Sequence, residues 1–352
     1  MSAAIRVVVV DDSPLMRKVM TEILNSEPDI EVVGAAPDPL AARELIRALS
    51  PDVITLDIEM PKMNGLDFLE KLMRLKPTPV VMISTLTEQG SDVALRAMEL
   101  GAVDCIPKPR LDLSRGVRDI ADDIVDRIRA AAQAKLRHAP PPPSRPASKP
   151  VTAALAGVSS QAQHTRLVAV GASTGGTQAL QTFLTALPAE MPPIVVVQHM
   201  PPAFTLPFAR RLDGICALTV QEAVHGERLR PGHVYIAPGD YHLAIEREGG
   251  YLNSKLLATP RVNRHRPAVD VLFESVAEII GKRSIGVIMT GMGADGAAGM
   301  LLMKRAGAYN LAQDEASSVV FGMPREAIKA GGVDQVLPLE QLAAAVVRQL
   351  AD

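Results

Sequence analysis

Carboxylates, a hydroxyl and a lysine follow one another at the ends of short apolar runs in the first third of the chain. Asp11 and Asp12 come directly after Arg6–Val10, Asp57 after Val53–Leu56, Ser84 closes Val80–Ser84, and Lys108 lies just past Val103–Ile106. If these runs are parallel strands, their carboxyl ends open onto one cleft, where open α/β sheets bind ligands. Carboxylates gathered there repel one another, and a divalent cation relieves the repulsion. Oxygen-only ligation suits Mg²⁺, which keeps waters and favours phosphate partners. Lys108 then neutralises a phosphoryl group, and the Ser84 hydroxyl donates to one of its oxygens. Each residue taken singly also has a structural account: Asp12 or Ser13 caps a helix with Pro14 at its start, and Asp57 pairs with Lys108. That account weakens for the set, which falls at successive strand ends in order.

A second constellation lies further on. Leu167–Val170 breaks into Gly171-Ala172-Ser173-Thr174-Gly175-Gly176, a G-x-S-x-G pattern at a strand-to-helix turn. The glycines permit a tight turn, and a serine at a helix N-terminus meets backbone N–H groups that favour developing negative charge. A helix cap or a phosphate loop has the same look, but the Walker lysine and G-x-G-x-x-G are both missing. A nucleophilic serine needs a base. His138 and His164 fall in a linker-like stretch, His225, His233 and His242 in a turn-rich one, and His265 in an arginine-rich loop. His199 directly follows Ile194–Gln198, and Asp295 lies in the glycine-rich loop after Ile285–Met289. Ser173, His199 and Asp295 thus fit nucleophile, base and orienter, in an order unlike the Ser, Asp, His of α/β-hydrolases. Arg261, Arg264, His265 and Arg266 form a basic cluster, either a contact for an acidic partner or product carboxylate, or a structural loop paired with Asp270 or Glu274. Asp240, in Pro238-Gly239-Asp240, reads as a turn former.

The elements that must position these residues alternate. Before residue 131, strand-like runs (the four above and Ile30–Ala35) are separated by amphipathic stretches such as Leu15–Leu24 and Phe68–Met73. That alternation implies a parallel sheet covered on both faces. His138–Pro146 is proline-rich and Ala153–Gln163 small and polar, which predicts an extended linker. Beyond it Leu167–Val170, Ile194–Val197 and Ile285–Met289 read as buried parallel strands. Gly176–Leu187, Ala268–Ile280, Gly296–Ala306 and Leu339–Leu350 read as helices. Ala217–Leu257, with turn signals at Pro231-Gly232 and Pro238–Asp240, predicts a β-meander insertion. The expected architecture is α/β, with two doubly wound parallel-sheet domains at 1–128 and 165–352 joined by a linker at 129–164.

The 352 residues are 47% hydrophobic and 22% charged, enough apolar surface for two cores. Lys and Arg number 37 against 39 Asp and Glu, so no basic excess exists to track a nucleic-acid backbone. Cys105 and Cys216 are far apart and lack metal spacing, which disfavours a disulfide framework or zinc site and fits a reducing cytoplasm. No apolar run approaches the ~18 residues of a membrane span, and Met1–Val10 reads as a strand and not a signal peptide.

Val8–Ser13, Leu56–Gly65 and Pro107–Pro109 resemble the receiver domain of two-component response regulators, with its flavodoxin-like fold, over roughly residues 4–125. The resemblance implies that Asp57 accepts a phosphoryl group from a histidine kinase. It assigns Mg²⁺ to Asp12, Asp57 and the Glu59 backbone carbonyl, with Asp11 assisting through water. Cys105 stands where many receivers carry an aromatic switch residue. Residues 165–350 resemble the Rossmann-like catalytic domain of chemotaxis protein-glutamate methylesterases. The stretches that carry this are Gly171–Gly176, Gln198–Pro202, Val262–Pro267, Thr290–Gly296 and Val320–Arg325. A receiver ahead of that domain is the family's architecture. The resemblance implies Ser173 as nucleophile, His199 as general base, Asp295 as its orienter and the Met292 N–H in the oxyanion site. It implies methyl-accepting chemoreceptors as substrates, deamidation of receptor glutamines as a further activity, and no cofactor in the catalytic domain. The chain is expected in the cytoplasm, without nucleic-acid partner or membrane insertion. The rival readings are a DNA-binding output, disfavoured by the lack of a helix-turn-helix pattern, and a noncatalytic scaffold.

Overall fold

A computed structural model describes residues 4–60, 64–84, 88–108, 117–136 and 165–351. The expected linker from residue 137 onward, with His138 and His164, lies outside these, as do Pro61–Met63 and Pro109 of the receiver-like motifs. The chain divides into two compact units, residues 1–144 and 145–352.

In the first unit, Val7–Val10 and the whole of Val53–Asp57 are buried. Strands hidden on both faces form parallel sheets under helices. β1 (Ile5–Val10), β2 (Ile30–Ala36), β3 (Val53–Asp57), β4 (Val80–Ser84) and β5 (Asp104–Pro107) lie parallel in the order β2-β1-β3-β4-β5. The order reverses between β1 and β3, which opens a ligand crevice at their carboxyl ends. Four helices connect them, α1 (Pro14–Asn25), α2 (Pro39–Leu49), α3 (Gly65–Leu75) and α4 (Glu88–Glu99), and α5 (Val117–Ala132) follows β5. Ser13, not Asp12, caps α1: its hydroxyl accepts from Met16 N at 3.3 Å, with Pro14 following. Helix α5 continues past residue 128, held by Arg129, which pairs with Glu27 at 2.7 Å and Asp29 at 2.6 Å.

The second unit has a seven-stranded parallel sheet in the order β14-β13-β12-β6-β7-β9-β8. Its strands are β6 (Leu167–Ala172), β7 (Ile194–Gln198), β8 (Thr219–Glu222), β9 (His233–Ile236), β12 (Ser284–Ile288), β13 (Tyr309–Gln313) and β14 (Gln335–Leu337). β10 (His242–Glu248) and β11 (Tyr251–Leu257) form a separate antiparallel pair. The helices are α6 (Gly176–Thr185), α7 (Pro202–Asp213), α8 (Val269–Ile279), α9 (Ala297–Arg305), α10 (Met323–Lys329) and α11 (Leu339–Ala351). The order reverses between β6 and β12, so the crevice lies where the Ser173 and Asp295 loops emerge.

The expected meander is corrected. β8 and β9 extend the main sheet in parallel, and only β10 and β11 pair as a hairpin. Turn chemistry marks where a chain bends but not which strand it next lies beside. Prolines at 201, 202 and 207 masked α7, although two of them start it. Buried Asn310 and Gln313 hid β13; their side chains bond Met300, Gly332 and Ser317 carbonyls.

Candidate active site and phosphoacceptor pocket

The first pocket collects the residues expected of it. Ligand oxygens of Asp11, Asp12 and Asp57 all lie within 4.8 Å of one another. Asp11 and Asp57 are buried and Asp12 is exposed. Lys108 Nζ donates to Asp57 Oδ2 at 2.6 Å and stands 3.4 Å from Asp11 Oδ2. Burial pushes the Asp57 carboxyl up to about 6; the hydrogen bond and charge of Lys108 offset only part of that, and the Asp11 charge adds to the rise. Burial raises Asp11 likewise. Burial works against the Lys108 ammonium, but Asp57 and Asp11 more than compensate and hold it above its ordinary value. Ser84 is buried at the end of β4, beside Pro107 of β5, and its carbonyl accepts from Lys108 N at 2.7 Å. The exposed Glu59 donates its backbone N–H to Asp57 Oδ1 at 3.3 Å.

The second site is built by the sheet. The β6–β7 ladder continues past the strands, with His199 N donating to Ala172 O at 3.1 Å, which sets His199 beside the residue preceding Ser173. Ser173 N donates to Thr290 O at 3.0 Å, tying the serine to the end of β12. Gln198 Nε2 donates to Ser173 O at 2.9 Å. The turn into α6 needs Gly175, which has φ 76°, and a Cβ there would stand 2.6 Å from Val319. A Cβ on Gly291 would stand 2.7 Å from Ser173 Cβ, so that glycine keeps room for the serine. Met292 follows it, half-buried. The serine precedes α6 by a turn (Gly176 N to Ser173 O, 2.7 Å) instead of sitting in its first turn.

His199 and Asp295, 5% and 2% exposed, meet directly: His199 Nε2 donates to Asp295 Oδ2 at 2.8 Å. The carboxylate is accepting, so the proton belongs on Nε2 and the opposite nitrogen is left as acceptor. That atom, Nδ1, is buried without a hydrogen-bond partner. Asp295 accepts further from Val269 N at 2.6 Å, Asp270 N at 3.1 Å and Asn263 Nδ2 at 2.8 Å. Val269 and Asp270 open α8, whose N-cap residue Ala268 offers no side-chain oxygen. Asp295 therefore caps that helix from another loop, where the helix dipole favours a negative charge. Burial alone would raise its carboxyl, but His199, Asn263 and the Val269 amide outweigh that and hold it well below the usual range.

The other histidines of the turn-rich stretch hold structure. His242, fully buried, donates from Nε2 to Pro260 O and accepts from Ala268 N. His225 Nδ1 accepts from Leu256 N, and His233 Nδ1 lies 3.0 Å from Pro231 O. Sequence reasoning missed two neighbours of the pair. Asn263 reaches Asp295, and His265 stacks on His199 with ring centroids 3.8 Å apart. Their place in the Val262–Pro267 stretch was the available signal. Arg266 pairs with Asp240 at 3.0 Å, not with Asp270 or Glu274. Asp240, at φ 67°, is a turn former as expected.

Two parallel α/β units, one with an acidic lysine-bearing pocket and one with a histidine–aspartate pair beside a serine elbow, define a response-regulator-type chain with a hydrolase-like output unit. The family profile for CheB methylesterase matches residues 168–346, and that for the response regulator receiver domain matches residues 7–117. The chain is 56% identical over 351 residues to a protein-glutamate methylesterase/protein-glutamine glutaminase of Cupriavidus pinatubonensis, covering 99% of this chain and 97% of that one. It is 55% identical over 367 residues to the protein of the same name from Ralstonia nicotianae, covering 99% and 96%. The crystal structure of the Thermotoga maritima CheB methylesterase catalytic domain superposes with a TM-score of 0.52 at 44% identity, covering 52% of this chain and 98% of that one. This chain belongs to the CheB methylesterase family, with a receiver domain ahead of the methylesterase domain. No helix among the described residues is long and apolar enough to cross a membrane.

Proposed function

We propose that this chain is a phosphorylation-controlled protein-glutamate methylesterase and glutaminase that acts on chemoreceptors in the cytoplasm. The observation that carries the chemistry is the buried His199–Asp295 pair, with His199 Nδ1 unpartnered and the His199 backbone bonded to the residue that precedes Ser173. Ser173 attacks the γ-carbonyl of a methylglutamate while His199 Nδ1 takes its proton. Asp295 keeps the imidazole in the right tautomer and stabilises the imidazolium. The Met292 N–H donates to the tetrahedral oxyanion, an effect worth ~3 kcal/mol per donor. His199 returns the proton to the departing methanol, and water then releases the glutamate carboxylate by the same steps in reverse order. A glutamine side chain follows the same course with ammonia leaving.

Control enters through Asp57, the acceptor for a phosphoryl group from a histidine kinase. The pocket fits Mg²⁺: the buried Asp11 Oδ2 accepts no hydrogen bond, and its neighbours are hard oxygen ligands within reach of one another. Asp12, Asp57 and the Glu59 carbonyl would hold the ion, with Asp11 acting through water. The bound ion would supply positive charge against the incoming phosphoryl oxygens. Lys108 pairs with the same oxygens and Ser84 donates to one of them.

Methanol release from methylated receptor membranes, with and without a small-molecule phosphodonor, tests the reading. The wild-type protein releases methanol faster with the phosphodonor, and Ser173→Ala releases none while still folding. Wild-type rates from Ser173→Ala would rule the mechanism out.

A further inference from the structure

Val262–His265 is a four-residue turn closed by two backbone hydrogen bonds, from Val262 N to His265 O at 3.1 Å and from His265 N to Val262 O at 2.9 Å. Its central residues, Asn263 and Arg264, have φ of 51° and 68°. Asn tolerates that left-handed region, whereas Arg rarely occupies it. The turn thus holds a local strain that its surroundings must offset. Its side chains show what is gained. Asn263 spends both amide hydrogens on carboxylates, donating from Nδ2 to Asp295 Oδ1 at 2.8 Å and to Asp270 Oδ2 at 2.7 Å. Two residues on, the His265 ring lies flat on the His199 ring, at 3.8 Å and 18° between planes.

We propose that this turn is a positioning clamp for the His199–Asp295 pair, with Asn263 and His265 as its working side chains. The inference rests on His199 as the general base and goes beyond it by naming what orients base and acid together. The hydrogen bond from Nε2 to Asp295 fixes one point of the imidazole and leaves its plane free to tilt. A flat aromatic neighbour fixes that plane, and so fixes where Nδ1 points. Asn263 acts at the other end. Asp270 and Asp295 are close enough for each charge to disfavour the other, and burial with Asp295's charge raises the Asp270 carboxyl. An amide N–H pair between them damps that repulsion and stops Asp295 from rotating. The titratable groups that surround the base in this arrangement are Asp295 and His265 in contact, with Asp270 and Glu274 on α8 behind.

The test compares His265→Ala, His265→Phe, Asn263→Ala and Ser173→Ala in the full-length, phosphodonor-treated protein, with methanol release measured across pH. His265→Ala is expected to lose on the order of 10- to 100-fold in kcat with little change in KM, the usual scale for a misplaced catalytic group. His265→Phe, which keeps the flat face, is expected to recover most of that loss. Asn263→Ala leaves Asp295 with less of its charge satisfied, which favours the imidazolium. The acidic limb of kcat/KM therefore moves to higher pH, a shift that mere loosening of the fold does not produce. Wild-type kcat in His265→Ala, equal loss in His265→Phe, or an unmoved limb in Asn263→Ala would each overturn the clamp, provided Ser173→Ala is inactive. Activity in Ser173→Ala would overturn the triad itself.

Discussion

Replacing Asp295 with Asn removes one charge while keeping the side chain's shape, and the structure says where the new amide must turn. His199 Nε2 and Val269 N both donate to Oδ2, and Asn263 Nδ2 and Asp270 N both donate to Oδ1. An NH₂ group at the first position would face the Val269 N–H at 2.6 Å, so the amide oxygen takes that place. His199 then keeps its proton on Nε2, and Nδ1 remains able to accept. What is lost is the carboxylate charge opposite the imidazolium. Two unit charges about 4 Å apart at an effective dielectric of about 20 interact by about 4 kcal/mol. At about 1.4 kcal/mol per decade that is on the order of 10³ in rate. On the other side the Asn263 and Asp270 donors lose their acceptor, at about 1–3 kcal/mol each, which lowers the melting temperature by about 2–4 °C per kcal/mol. Methanol release by the phosphodonor-treated variant, scaled to its folded fraction by circular dichroism, should fall about 10³-fold yet stay above Ser173→Ala. A folded variant within fivefold of wild type would refute the reasoning, because the paired charge would then play no part.

Gly291→Ala should place a methyl group 2.7 Å from Ser173 Cβ and 2.2 Å from Met323 Sδ. Overpacking of that kind costs about 1–3 kcal/mol, and thermal melts with methanol release should show lower stability and at least about a tenfold loss of rate. A radiolabelled small-molecule phosphodonor should label the protein once in Mg²⁺, and both Asp57→Asn and excess chelator should stop it; persistent labelling of Asp57→Asn would displace the acceptor. A fragment starting at Thr165 should hydrolyse receptor methyl esters faster than the unphosphorylated full-length protein and no faster than the phosphorylated one. Equal rates for the fragment and the unphosphorylated protein would remove inhibition from the receiver's role.

Much of this molecule was legible in the chain because its parallel strands are hydrophobic on both faces. Runs such as Val7–Val10 and Ile194–Val197 announce themselves, and chemistry placed just after them has to gather at one edge. Asp57 and Lys108 meet for that reason, and so do His199 and Asp295, although 96 residues separate the latter two. Turn signals, by contrast, record local bending only. They could not say that β8 and β9 join the parallel sheet while β10 and β11 form a hairpin, since strand partnership is decided by packing of distant segments. Nor could residue types say which histidine nitrogen faces the carboxylate, that Asp295 caps α8, or that Asn263 and His265 close on the pair from one strained turn. Those contacts depend on side-chain direction and on distances of a few ångströms across elements far apart in the chain. Sequence alone settles which groups are available at the crevice; the tertiary fold settles which of them touch, because hydrogen bonds and ring contacts act only at contact range.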